Sequence, residues 1–309
     1  MHPAGDAKLK KNVARRRALL VFGLTSLLLW FGYAQALTLS TESDYIVTGY
    51  EVALVLHELL LVFWLGPDIG IFIWSTKVAN EQLPDEIRIT AAGMMRTIDI
   101  FPRVCVSLML TVGGILTEVV GLEHAWWQWV AIIVLGPVWL TLVLIAYFRA
   151  GSSVGELVTK LDKYLRGIVI VAVPLSVAYS TSIGRMDSAP WVSAKLMIFA
   201  AIVLLGLLSR RHLDAMQAGI KELASSGASE AVNAKLTGNV KGARPYIFLI
   251  WLGLAVAAWL GIEQPGSPQS EMRDAAIINE VNFSELNIGE VPASVTGVQA
   301  FRGGIQTWK

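Results

Sequence analysis

Thr48-Gly-Tyr-Glu51-Val-Ala-Leu-Val-Leu-His57-Glu58-Leu-Leu-Leu-Val-Phe-Trp-Leu-Gly-Pro-Asp68-Ile-Gly-Ile-Phe-Ile-Trp74 is an apolar run longer than the roughly 20 residues that cross a bilayer. It carries four ionisable groups: Glu51, His57, Glu58 and Asp68. Such groups cost roughly 2.5–3.5 kcal/mol each at a membrane helix centre on insertion scales, so a helix keeps them only with partners or a task. The run therefore points both to a membrane fold and to a functional site.

The rest of the chain agrees on the fold class. Of its 309 residues 54% are hydrophobic and 16% charged, against about 25% charged in soluble domains, and the mean hydropathy is +0.57. The expectation is an all-α, polytopic membrane helix bundle with seven spans, at 17–38, 46–76, 99–120, 125–148, 167–184, 190–208 and 245–262. The first apolar run lacks a clear secretory cleavage site and reads as a retained helix. One cysteine, Cys105, excludes an intrachain disulfide and any CxxC motif. There is no phosphate-binding glycine loop and no internal repeat, and nothing suggests nucleic acid as a partner; the lipid bilayer is the evident one.

Basic residues set the orientation. They gather in the arm before the first span (Lys8 to Arg17), in the loop after the second (Lys77, Arg88, Arg96), after the fourth (Arg149, Lys160, Lys163, Arg166) and after the sixth (Arg210, Arg211, Lys221, Lys235, Lys241, Arg244). The intervening connections are short and base-poor. The expected topology is N-in/C-out: a basic cytoplasmic arm 1–16, a seven-helix membrane domain 17–262 and a short extracytoplasmic tail 263–309. The localisation that follows is a multi-pass protein of the bacterial inner membrane. The loop 209–244 reads as polar, with an amphipathic helix near Leu213–Leu223. The acidic tail either is loosely ordered or docks on a membrane-complex partner.

Helical rise sorts the intramembrane polar groups by depth. Glu51, His57, Glu58, Glu118 and Lys195 fall toward the outer side; Asp68, Asp99 and Arg103 fall toward the inner. His57 and Asp68, eleven residues apart, share a helix face, and Glu58 is rotated about 100° from His57. Arg103 has two candidate partners, Asp99 at i−4 and Asp68 across the bundle; Asp68–Arg103 is the expected structural ion pair. Glu51 and Glu118 lie near helix ends, and His124 and His212 read as interfacial. Most tryptophans cluster at helix ends as an aromatic belt, whereas Trp64 and Trp139 are deeper and read as packing.

Three motifs carry a family resemblance. Leu56-His57 followed by Phe63-Trp64-Leu65-Gly66, Trp191-Val-Ser-Ala-Lys195-Leu196, and Arg244-Pro-Tyr-Ile before an apolar span resemble the HemJ-type protoporphyrinogen oxidases and the copper-resistance D-type membrane proteins. The resemblance covers about half of the chain. It implies a metal-ligating role for His57, as an axial ligand of haem b, and an essential cation at Lys195, with oxidoreductase chemistry between them. This sequence is about twice as long as the HemJ pattern and has Pro67-Asp68 where that pattern has Leu-Pro-Arg.

Three functions fit the residues. The first is a haem-binding or redox protein centred on His57, with Lys195 as cationic wall, Glu58 or Glu51 as orienting or proton-carrying group and Met109 as a candidate second ligand. The second is a permease: copper would favour clusters of Met, Cys and His that this chain lacks, but protons could pass by Glu58, Asp68 and Asp99. The third is a non-catalytic subunit of a larger membrane complex.

Overall fold

The computed structural model describes residues 49–119 and 121–268. These residues form seven α-helices: α1 (Gly49–Ala79), α2 (Asp85–Ile98), α3 (Ile100–Val119), α4 (Trp126–Phe148), α5 (Ser153–Ser182), α6 (Pro190–Ser226) and α7 (Glu230–Glu263). Six are long and apolar enough to cross a membrane when α2 and α3 are taken as one near-continuous rod. They account for six of the seven expected spans. The expected span 17–38, the arm 1–16 and residues 269–309 of the tail lie outside the described residues.

The helices pack as a closed ring. α1 contacts α3, then α3 contacts α4, α4 contacts α5, α5 contacts α6 and α6 contacts α7, with α7 returning to α1. Each sequential neighbour lies beside its predecessor, as short connections between antiparallel helices require. The main core runs down the ring's centre, through Leu60, Trp64, Val112, Trp139, Leu140, Phe199 and Val203. A smaller core at one end joins Leu122, Met186, Trp191 and Leu260.

At the basic end the expectation needs correcting. The loop 209–244 is not a loop: α6 runs unbroken to Ser226, taking in the amphipathic helix expected near Leu213–Leu223, and α7 starts at Glu230. Likewise the expected span 167–184 is the second half of α5, which starts at Ser153. Hydropathy registers only the apolar part of each helix. The polar turns continue it because one stripe still finds a partner. Met216, Ile220, Leu223, Val232, Leu236 and Val240 join Val78, Ala91, Ala92 and Met95 in a separate four-helix core. The helix starts are capped by serines: Ser152 accepts from the Gly155 N–H at 3.2 Å and Ser229 from the Val232 N–H at 3.3 Å. Arg88, fully buried in this end, ties α2 to both neighbours by donating from Nε to the Val78 carbonyl at 3.0 Å and from Nη1 to Asn233 Oδ1 at 2.9 Å.

Prolines stand inside α1, α4, α5 and α7. A proline frees the carbonyl four residues back, a cost met in membrane helices by neighbouring side chains. One turn ahead of Pro137, Thr111 of α3 inserts its hydroxyl into the α4 ladder. It accepts from the Gly136 N–H at 3.0 Å and donates to the Ile132 carbonyl at 2.5 Å. Glycine at 136 permits that approach, because a Cβ there would collide with the Thr111 side chain.

Candidate functional site

His57 of α1 and Lys195 of α6 lie within electrostatic reach of each other inside the ring. The edge-on contact of Trp64 with Phe199, centroids 6.5 Å apart, brings the two helices together one level away. The His57 ring lies against Gly113 of α3, where an added Cβ would come within 3.3 Å of Cε1. The Lys195 ammonium lies over the Trp191 ring, 5.4 Å from its centroid, and beside Gly261 of α7, where a Cβ would sit 2.8 Å from Nζ. It is close enough to act electrostatically on the His57 ring. Four helices thus build one site, and two glycines make the room for its polar heads.

This site has unused hydrogen-bonding capacity, as do the buried guanidiniums of Arg88, Arg166, Arg185 and Arg244 elsewhere. His57 Nδ1 and Trp191 Nε1 are both buried, and among the described residues neither has a hydrogen-bond partner. Lys195 forms no ion pair with a described residue. Buried polar atoms are almost always satisfied, so such a concentration calls for an explanation. The indole N–H and the ammonium only donate, whereas an imidazole nitrogen can donate or accept a lone-pair bond. The wall therefore suits an anionic group beside a Lewis acid.

Other expected members are elsewhere. Glu58 projects on the exposed face of α1, and no hydrogen bond to His57 is formed, so the imidazole is not oriented by it. The i, i+1 spacing put them about 100° apart, and packing of α3 took the His57 side. Met109 packs against the main core. Among the described residues no three of His, Cys, Asp and Glu gather as a protein cage for a metal ion would need. His124 is held by Thr117, Oγ1 to Nε2 at 2.8 Å, and edge-on to Trp129. Burial, and then the Arg185 charge, keep its ring below the ordinary imidazole pKa. His212 rests against Gly242 and Tyr246.

A second cluster occupies the other half. The expected Asp68–Arg103 pair does not form. Arg103 pairs with Asp99, one turn earlier on the same rod, while Asp68 Oδ2 accepts from Trp251 Nε1 of α7 at 2.8 Å. The i, i+4 partner wins because one helix fixes its geometry in advance. Asp68 remains within electrostatic reach of Asp99.

Beyond them is a knot that sequence reading missed. Asp162 Oδ1 accepts from Trp139 Nε1 at 2.8 Å, and its Oδ2 accepts from Arg166 Nε at 3.0 Å. Arg210 of α6 approaches the same Oδ2 at 3.4 Å, and the Arg166 guanidinium stacks 5.2 Å from the Trp139 centroid. Arg210 also feels Arg103 and Asp99. Asp162 and Arg166 fell in an expected loop. The stripe Val158, Asp162, Arg166, Val169, Val173, Val177 is a helical face, all buried, and its i, i+4 acid–arginine pair was the signal available. Trp139, read as packing alone, is a hydrogen-bond donor to this knot.

Comparisons with models of known protein families, with curated proteins and with solved structures yield no match, so the site's chemistry has to be argued from its own atoms.

Proposed function

We propose that this is a membrane haem-binding or redox protein, with His57 as axial ligand and Lys195 as the partner of a carboxylate of the porphyrin. The observation that carries the reading is the buried His57 Nδ1, without a hydrogen-bond partner among the described residues, with an ammonium in reach that forms no ion pair with any of them. A porphyrin brings four nitrogens of its own, so a lone histidine suffices where a bare ion would need a cluster. Its propionates would take the charge-assisted bonds that Lys195 and the Trp191 N–H leave open. Bound haem would supply one-electron chemistry; the chain would fix the ring's depth and exclude water. Two of the three motif resemblances point to the same two residues.

The reading includes seven spans with the N-terminus in the cytoplasm and the site in the outer half. The alternation of basic and base-poor connections supports that orientation.

The optical spectrum of the purified protein, with and without dithionite, is the test. A Soret band that shifts on reduction is expected. Lys195→Ala should weaken haem retention, and Lys195→Arg should preserve more, because the charge survives. A colourless preparation that takes up no added haemin would contradict the proposal. A proton route is the second reading, favoured by the nearness of Asp68 to Asp99. Uptake of protons by proteoliposomes, lost in Asp68→Asn, would favour it.

A further inference from the structure

A cleft of about 270 Å³ opens at the basic end of the bundle, between the α2–α3 joint and the extension of α6. Its apolar wall is Ile71, Met95, Leu213 and Met216. Its basic side chains are Arg96, Arg103 and Lys221, one from each of α2, α3 and α6. Two carboxylates share the lining, Asp99 and Asp214. Asp99 is already engaged by Arg103, and Arg210 stands behind that pair within electrostatic reach of it. Asp214 is exposed. The cations left over are Arg96 and Lys221, both exposed and neither in an ion pair with a described residue.

The level of the cleft matters. Ile71 lies six residues before Lys77, the first basic residue of the α1 end, so the cleft opens roughly 9 Å from it along the helix. That is the boundary at which an apolar span gives way to headgroups. Basic pockets between helices at such a level suit lipid headgroups, because arginine pairs with phosphate oxygens while the apolar wall takes an acyl chain.

We infer that the cleft framed by Arg96, Arg103 and Lys221 binds a phosphate-bearing anion, presented by an anionic phospholipid of the adjoining leaflet. The occupant is amphiphilic because the lining is: four apolar side chains on one wall and cations of three helices on the rim. Binding there would brace α6 against the α2–α3 joint, where α2 and α6 otherwise touch sparingly. It is independent of any cofactor at His57, on the far side of Asp68.

The test uses the full chain in vesicles of phosphatidylcholine alone or with phosphatidylglycerol, followed by thermal unfolding and by the phospholipid retained after delipidating washes. Phosphatidylglycerol should raise the unfolding midpoint and be selectively retained. Arg96→Gln with Lys221→Gln should lower that retention by at least about tenfold, with an unchanged midpoint in phosphatidylcholine alone, which shows that the variant folds. Arg149→Gln with Lys160→Gln, basic residues outside the cleft, should retain it as the native chain does. Equal loss in both double variants, or no response to phosphatidylglycerol or phosphate, would overturn the inference. Inorganic phosphate stabilising the protein in phosphatidylcholine as strongly as the lipid would assign the same cleft to a soluble phosphate compound.

Discussion

Asp162 is the single carboxylate on which the half of the bundle away from His57 depends. Two guanidiniums and an indole N–H converge on its two oxygens, and both its side chain and that of Arg166 are 5% exposed. Removing one partner of a buried pair strands the other, at about 3–5 kcal/mol. Asp162→Asn should therefore lower the unfolding midpoint in detergent sharply, and Asp162→Leu with Arg166→Met should recover part of the loss. A variant as stable as the native chain would mean that the arginines find other anions. Asp68→Asn should be mild, about 1 kcal/mol or less, because the amide oxygen can still accept from Trp251; a loss as large as that of Asp162→Asn would show that Asp68 has a charged partner after all. At this scale His57 and Lys195 were legible in the sequence, because an ionisable group in an apolar run announces itself. The partners of Asp68 were not. Choosing between Arg103 and Trp251 depends on how α7 closes the ring, which no local pattern records.

Among elements, the apolar middle of every described span was legible and the ends were not. α5 starts fourteen residues before the expected span at 167, and α6 runs on through residues read as a polar loop. Hydropathy averages over the helix circumference, so it ends the span at 208, although the one-sided stripe Met216, Ile220 and Leu223 was legible as an amphipathic helix near Leu213–Leu223. The contact of α3 with α4 turns on Thr111 and Gly136, where a hydroxyl splices into the opposing ladder. Gly136→Val should cost about 1–3 kcal/mol by overpacking, seen as a lower unfolding midpoint. Gly238→Ala on α7 meets open space and should be neutral or stabilising by up to about 1 kcal/mol. If the two substitutions behave alike, close approach at Gly136 does not hold these helices together.

For the whole molecule, the ring of six helices long and apolar enough to cross a membrane places, among the described residues, one polar cluster toward each end: His57 with Lys195, and the Asp68, Asp99, Asp162 group with its arginines. The depth sorting of the sequence anticipated that division. Orientation is tested by reporter fusions at Ala228, in the turn between α6 and α7, and at the C-terminus. Opposite sidedness is expected, since α7 lies between them and is long and apolar enough to cross; the same sidedness at both would remove α7 from the spans.

The proposal stands or falls with His57 as the residue that holds the bound group beside Lys195. Its most direct measurement is the haem content of His57→Ala beside the native chain, both purified with haemin present and both checked by unfolding midpoint. The account predicts a Soret band in the native protein and its loss in a variant that still inserts and melts cooperatively, since deleting the ring empties a site that no other helix fills. A variant with full haem content and an unchanged spectrum would contradict it.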